Sequence, residues 1–249
     1  LVSNSSAGVN PNLKKISFGR LIMETNLPAK ILIYDFNVVG NKWEDFLVRN
    51  LENQIISPVL LNTYNTTYLS GIVNNQKNSS HYVSPEGTYY VELRRESSES
   101  ALTLAVENLQ PGHQALLRQR LFDPYSLLSY NKIKFWVYPE AREGNPLHPD
   151  SVDVVFRAGA DSLNYYQIRQ RVPVLPYLAK MEREAWIELV YDLQTMTSLK
   201  EEFPDEISGE IIHGNTVYSF RGTPTLTNTR DIYFGVYSPL DLPAPTPYN

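Results

Sequence analysis

The 249 residues are 42% hydrophobic and 20% charged, a mix that supports a sizeable buried core. A length of roughly 250 residues suits either one large all-β domain or two smaller modules. A net charge of −5 without a local run of Lys and Arg excludes a phosphate-binding surface and hence a nucleic-acid partner. With 0 cysteines, disulfides, thiolate metal sites and a Cys nucleophile are excluded together.

The chain opens on Leu1 rather than Met and shows no basic-then-apolar leader, which reads as a processed or excised fragment. Polar residues 1–13 are a loose lead-in, followed by strand-like text at 16–23 and 29–40 around the turn of Asn26, Leu27 and Pro28. Segment 43–51 fits a helical turn or a strand. The Asn- and Thr-rich stretch 62–80 reads as a long loop around a short strand at 68–73. The longest uncharged run, 53–76, is too polar for a membrane helix, which needs about 20 mostly apolar residues.

From Gly87 the pattern sharpens. GTYYVELRR and SALTLAVEN form an expected strand pair across the polar turn at 96–99, with Leu102, Leu104 and Val106 on one face. Pro111 and Gly112 close it. In NKIKFWVYPE, Ile133, Phe135 and Val137 alternate with Lys134, Trp136 and Tyr138. In SVDVVFRAG, Val152, Val154 and Phe156 alternate with Asp153, Val155 and Arg157. Each such strand buries one face and half-solvates the other. LNYYQIRQRV, AWIELVYDL, NTVYSF and DIYFGVYSP are further strands, Ile187, Leu189 and Tyr191 falling in step.

Residues 192–202 form the one persuasive helix, with Leu193, Met196 and Leu199 at helical spacing and Pro204 beyond. The expected fold is all-β, a jelly-roll-like antiparallel β-sandwich with one short helix and long loops. Its expected divisions are 1–85, N-terminal strands and a long loop that complete a neighbouring domain; 86–240, the sandwich; and 241–249, a Pro-rich tail.

No constellation for catalysis emerges. His81, His113, His148 and His213 stand singly in expected loops, without zinc spacing. Glu182 and Glu184 share a face if MEREAW is a strand edge, but no second site gives the separation that paired carboxylates need. Nucleophile elbows, Walker loops and dinucleotide fingerprints are absent, and no cofactor is implied. Asp161, Asn164 and the 150–153 region offer oxygens for calcium, without an alternating acidic loop. Sequons at Asn4, Asn65 and Asn78 matter only in a glycosylating host. Trp136 and Tyr138, with Tyr165 and Tyr166, supply rings that either pack inward or stack on sugar.

Several segments together resemble one family. IYDFNVVGNKW is similar to a strand ending V-G-x-x-W. The stretch from GIVNNQ through ALTLAVENLQPGHQALLRQ resembles an N-N-Q-x-N, Pro-Gly-turn and S-L-x-L-x-V series, here with Glu86 inside the turn. DPYSLLSYNKIKFWVYPEA, DVVFRAGADSLNYYQIRQRVPV and GTPTLTNTRDIYFGVYSP follow in the same order. These resemble the SprA (Sov) gliding-motility proteins, giant outer-membrane translocons of the type IX secretion system in Bacteroidota.

The resemblance implies a non-catalytic module of the cell envelope, outer-membrane associated. It would scaffold or dock other envelope proteins or further segments of the same large protein. Thr229 before Arg230 departs from the family pattern, and the usual closing strand gives way to the tail, which implies an open edge filled by a neighbour's strand. Arg157, Asp161, Asn164, Tyr165 and Tyr166 lie in the most family-like segment. They are expected to fix a strand–loop corner, with Arg157 bonding Asp161, rather than to bind a ligand. A carbohydrate-binding sandwich, with Trp136 and Tyr165 stacking on sugar, is the alternative from another class.

Overall fold

The computed structural model describes residues 43–75, 78, 80–85, 89–90, 95–96, 100–143 and 150–241. The strands expected at 16–23 and 29–40, the Asn4 sequon and all of the tail beyond Asp241 lie outside the described residues.

β8 (Ser151–Gly159) shows how the sequence builds the fold. Val154, Phe156 and Ala158 face one way and Asp153, Val155 and Arg157 the other, and both sets are buried. The expectation of one half-solvated face fails here because β8 is central and covered on both sides. It pairs with β9 (Tyr165–Pro173) and β13 (Thr229–Tyr237) in an antiparallel sheet. That sheet continues through β6 (His113–Tyr125) to β1 (Trp43–Asn50), and through β12 (Thr216–Arg221) to β11 (Ser208–His213). The order is β1-β6-β13-β8-β9-β12-β11. Gly235 of β13 permits the close approach of β6, since a Cβ there would stand 2.0 Å from the Ala115 carbonyl oxygen.

Two two-stranded sheets cover one face of this sheet. β7 (Lys132–Val137) and β10 (Ile187–Asp192) pair with each other and send Phe135, Leu189 and Tyr191 onto Phe156, Ile168 and Phe234. The helix α2 (Leu193–Glu202) follows directly, its first turn capped by Asp192 accepting from the Gln194 N–H. Leu193, Met196 and Leu199 bury toward β11 and β12, where a fully buried Leu contributes about 2–3 kcal/mol. β2 (Thr67–Asn74) and β5 (Ser100–Glu107) form the second pair, with Tyr68, Leu104 and Val106 against Val48 and Ala115. The result is all-β, antiparallel and sandwich-like, with one broad layer and one divided layer.

Several expectations need correction. β5 pairs with β2, not with the GTYYV segment; Tyr89–Tyr90 (β3) instead pairs with Arg95–Glu96 (β4). The division at 85/86 does not hold, because β1 and β2 are hydrogen-bonded to β6 and β5 of the sandwich itself. Segment 43–51 is a strand, and a short helix α1 (Pro58–Thr63) was not foreseen. Neither was β6, nor β11. β13 is interior, paired with β6 on one side and β8 on the other, so no open edge lies beside it. Among the described residues the sheet ends on β1 and β11.

Candidate functional site, an arginine-lined sheet face

The face of the sheet opposite the two strand pairs gathers arginines that are scattered in the chain. Strand parity places Arg49 of β1, Arg118 and Arg120 of β6, Arg157 of β8, Arg169 and Arg171 of β9 and Arg221 of β12 on it. The sequence shows no basic run, yet the fold makes a basic cluster. Most of it is neutralised locally. Arg118 meets Glu44 at 2.8 Å, Arg120 meets Asp231 at 2.9 Å and Arg169 meets Glu210 at 3.1 Å. Arg171 bonds Asp153 at 3.0 Å and Asp241 at 2.8 Å, and hydrogen bonds to both acids raise its pKa.

Arg157 is different. It is fully buried, and among the described residues it bonds only neutral amides. Its Nε and Nη2 donate to Gln167 Oε1 at 3.0 and 2.6 Å, Nη1 to Asn53 Oδ1 at 3.0 Å, and Nη2 to Gln114 Oε1 at 3.2 Å. Its guanidinium stacks 3.9 Å above the Tyr165 ring, a cation–π contact. The side chain spans from β8 to Gln114 of β6, two strands away. Burial, with repulsion from Arg49 and Arg221, pulls the guanidinium down to about 10.

Asn53 reaches Arg157 because β1 ends in a tight turn. The Asn50 N–H donates to the Gln54 carbonyl and the Asn53 N–H to the Asn50 carbonyl, with Asn53 at a φ of 63°. Arg49 Nη1 holds the Asn53 carbonyl at 2.7 Å, Arg221 Nη1 holds the Glu52 carbonyl at 2.7 Å, and Asn53 Nδ2 donates to the Ser162 carbonyl at 2.6 Å. β1 and β12 stand five places apart in the sheet, about 24 Å if it were flat. The contact with Arg221 therefore requires the sheet to curl around this turn.

Of the residues singled out in sequence, the structure brings Arg157 and Tyr165 together but not Arg157 and Asp161. That expected bond is replaced by the amide cage. Asp161 makes the corner another way: its Oδ1 accepts the N–H groups of Leu163 at 2.7 Å and Asn164 at 2.9 Å. Asn164 Oδ1 then accepts from the Thr223 N–H at 3.0 Å, tying the β8–β9 corner to the segment after β12. A Cβ on Gly159 would stand 2.1 Å from the Asn164 carbonyl, so only glycine lets the corner close. Burial raises the Asp161 pKa, but these donors outweigh it and hold the carboxyl below its usual range.

Tyr166 points to the opposite face and lies in the core. Tyr165, 5% exposed beneath Arg157, has no face free for a sugar. Trp136 lies in the molecule's divided layer, on the outer face of β7 opposite Glu188 and under Lys134.

The remaining candidates are dispersed. Asp153 is engaged by Arg171, and Asp161 by its own corner, so neither offers a set of free oxygens to calcium. Among the described residues no group of three His, Cys, Asp or Glu side chains is placed to hold a metal. Glu182 and Glu184 flank and occupy a 3-10 turn (Arg183–Ala185), not a strand edge, and do not form a paired-acid face. His148 lies outside the described residues. His213 packs edge-on against Tyr218. His113 has its pKa lowered by burial.

His81 is better connected: Nε2 stands 2.9 Å from Glu140, Nδ1 3.2 Å from the Ala179 carbonyl, and the ring stacks on Tyr177. Together with Trp186 Nε1 donating to the Val83 carbonyl, this fastens segment 81–84 to segment 177–186.

The residues missed in sequence are Arg49, Asn53, Gln114, Gln167 and Arg221. One signal was present: a cation at a buried strand position must find buried acceptors, and Gln167 lies in the partner strand. No protein-family model, curated protein or solved structure matches the chain.

Proposed function

We propose that the chain is a non-catalytic β-sandwich module of a cell-envelope protein-translocation component of the type IX secretion and gliding-motility kind. In this role it scaffolds or docks partner proteins at the outer membrane. One observation carries the reading. The segments that resemble that family lie far apart in sequence but meet in the fold: DVVFRAGADSLNYYQIRQRVPV forms β8, its corner and β9, and DIYFGVY of β13 pairs with β8. Two of the resembling segments thus lie side by side at the centre of the broad sheet, as the residues of a shared scaffold would.

Partner strands would add at β11, which has a strand partner on one side alone among the described residues. No described helix is long and apolar enough to cross a membrane, so any span lies elsewhere or is made by strands. The experiment is photo-crosslinking from Ile212, exposed on β11, in cell envelopes of a gliding bacterium expressing the protein. Adducts with outer-membrane secretion components are expected. Adducts confined to unrelated proteins, or turnover of a polysaccharide or peptide panel by the purified chain, would overturn the proposal.

A carbohydrate-binding module is the second reading, favoured by the exposed rings of Tyr125 and Tyr130, whose hydroxyls bond each other. Glycan-array binding lost in Tyr130→Ala and Trp136→Ala would select it. Tyr165, buried beneath Arg157, takes no part in this reading.

A further inference from the structure

Arg49, Arg157 and Arg221 come from three strands and hold one turn, all through oxygens without net charge: the Asn53 carbonyl, the Asn53 amide oxygen and the Glu52 carbonyl. The other arginines named on this face each meet a carboxylate. The difference is physical. A buried cation among neutral acceptors bears its desolvation cost without the Coulombic return that a counter-ion supplies. Three cations converging on one turn add mutual repulsion.

We propose that this trio is a carboxylate-binding site, occupied in the described conformation by the Asn53 turn, and that a ligand carboxylate enters in place of the Asn53 amide oxygen. The shapes agree. The oxygen now 3.0 Å from Arg157 Nη1 is a planar sp² acceptor, and a carboxylate presents the same geometry with a charge and a second oxygen. The turn keeps its own closing bonds, from the Asn53 N–H to the Asn50 carbonyl and from the Gln54 N–H to Asn50 Oδ1, so only the Asn53 side chain has to move. Besides the three guanidiniums, its tip is anchored by Asn53 Nδ2 on the Ser162 carbonyl. A charged acceptor competes well, since its hydrogen bonds are roughly twice as strong as neutral ones. Glu52 does not fill this role: it offers Arg221 its backbone oxygen, and its side chain is exposed. The inference holds whether or not the chain works in an envelope, because it rests on the turn and its three cations alone.

The test uses the full chain and Asn53→Gly, which removes the amide while keeping a residue suited to a φ of 63°. Isothermal titration is run with disodium succinate and with a capped peptide bearing a single glutamate, against sodium chloride at matched ionic strength. Asn53→Gly is expected to bind saturably and about tenfold more tightly than the wild type, the scale of one hydrogen bond to a charged group. Adding Arg221→Gln should weaken that binding by about tenfold, with the circular dichroism spectrum unchanged. Asn53→Ser, a smaller truncation, gives the same readout if the glycine variant does not fold. Binding of succinate but not the peptide assigns the site to a free dicarboxylate. Binding of the peptide assigns it to an acidic side chain of a protein partner. The proposal is overturned if no variant binds either probe saturably, or if Arg221→Gln leaves affinity unchanged.

Discussion

Arg157→Met separates the two forces acting on the buried guanidinium. The change strands the side-chain oxygens of Gln167, Asn53 and Gln114, each now within 3.2 Å of a guanidinium nitrogen. At about 2 kcal/mol for each buried acceptor left without a donor, the loss is about 6 kcal/mol. The cation–π contact with Tyr165, at 3.9 Å, adds about 1 kcal/mol. Against this, removing the charge relieves its burial. A guanidinium pulled from its ordinary value down to about 10 corresponds to a relief of about 3 kcal/mol.

The hydrogen bonds win, and Arg157→Met should destabilise the fold by about 4 kcal/mol, lowering the melting temperature by roughly 10 °C. Urea unfolding followed by tryptophan fluorescence, with thermal scans at matched pH, measures it. A variant as stable as the wild type, or more so, would show that the uncompensated charge outweighs its amide cage, and the reasoning would fail.

Other expectations follow from the same geometry. Both ring nitrogens of His81 face acceptors, Glu140 and the Ala179 carbonyl, so the imidazolium is the best-satisfied form. Burial lowers its pKa, but these hydrogen bonds outweigh it and the net shift is upward. Its stabilisation is therefore complete below the unfolded value near 6.5 and lost as pH rises through the folded one. The stability advantage of the wild type over His81→Phe should shrink from pH 5 to pH 8; a constant or growing gap contradicts the sign. Asp161→Ala should cost about 1–2 kcal/mol by freeing the corner N–H groups of Leu163 and Asn164, read by urea unfolding. Gly235→Ala drives a Cβ into the Ala115 carbonyl and should cost about 3 kcal/mol or more in chemical denaturation. Leu199→Ala, at a fully buried position of α2, should cost about 2–5 kcal/mol by the same assay.

What was legible in the sequence was local periodicity. The alternation in β7 and β10 assigned the correct residues to the core, and the spacing of Leu193, Met196 and Leu199 set the buried stripe of α2. β6 escaped because Ala115, Leu116 and Leu117 are all buried in succession, which erases the period-two signal where both faces are covered.

The partner of β5 was misjudged for a different reason. Neighbouring segments usually pair, but Leu104 and Val106 find their apolar surface beside Tyr68 and Val48, which come from an earlier stretch. Long-range polar contacts were the least accessible. Arg157 was singled out in the sequence, yet its partners Asn53 and Gln114 lie 104 and 43 positions away. Proximity to Asp161 in sequence suggested a bond that the strand direction does not allow, since Arg157 projects over the sheet while Asp161 turns back on its own corner.

The most direct test of the arginine-held turn is amide hydrogen exchange at Asn53 and Gln54, compared between the wild type and Arg221→Gln at a pH where both are folded. The Asn53 N–H is bonded to the Asn50 carbonyl and the Gln54 N–H to Asn50 Oδ1, and both bonds depend on the turn staying seated. Protection at these amides should fall by about tenfold in the variant while β8 and β13 keep theirs, since the bond from Arg221 to Glu52 is one of the few that seat it. Unchanged protection at Asn53 and Gln54 would mean that the arginines do not hold the turn.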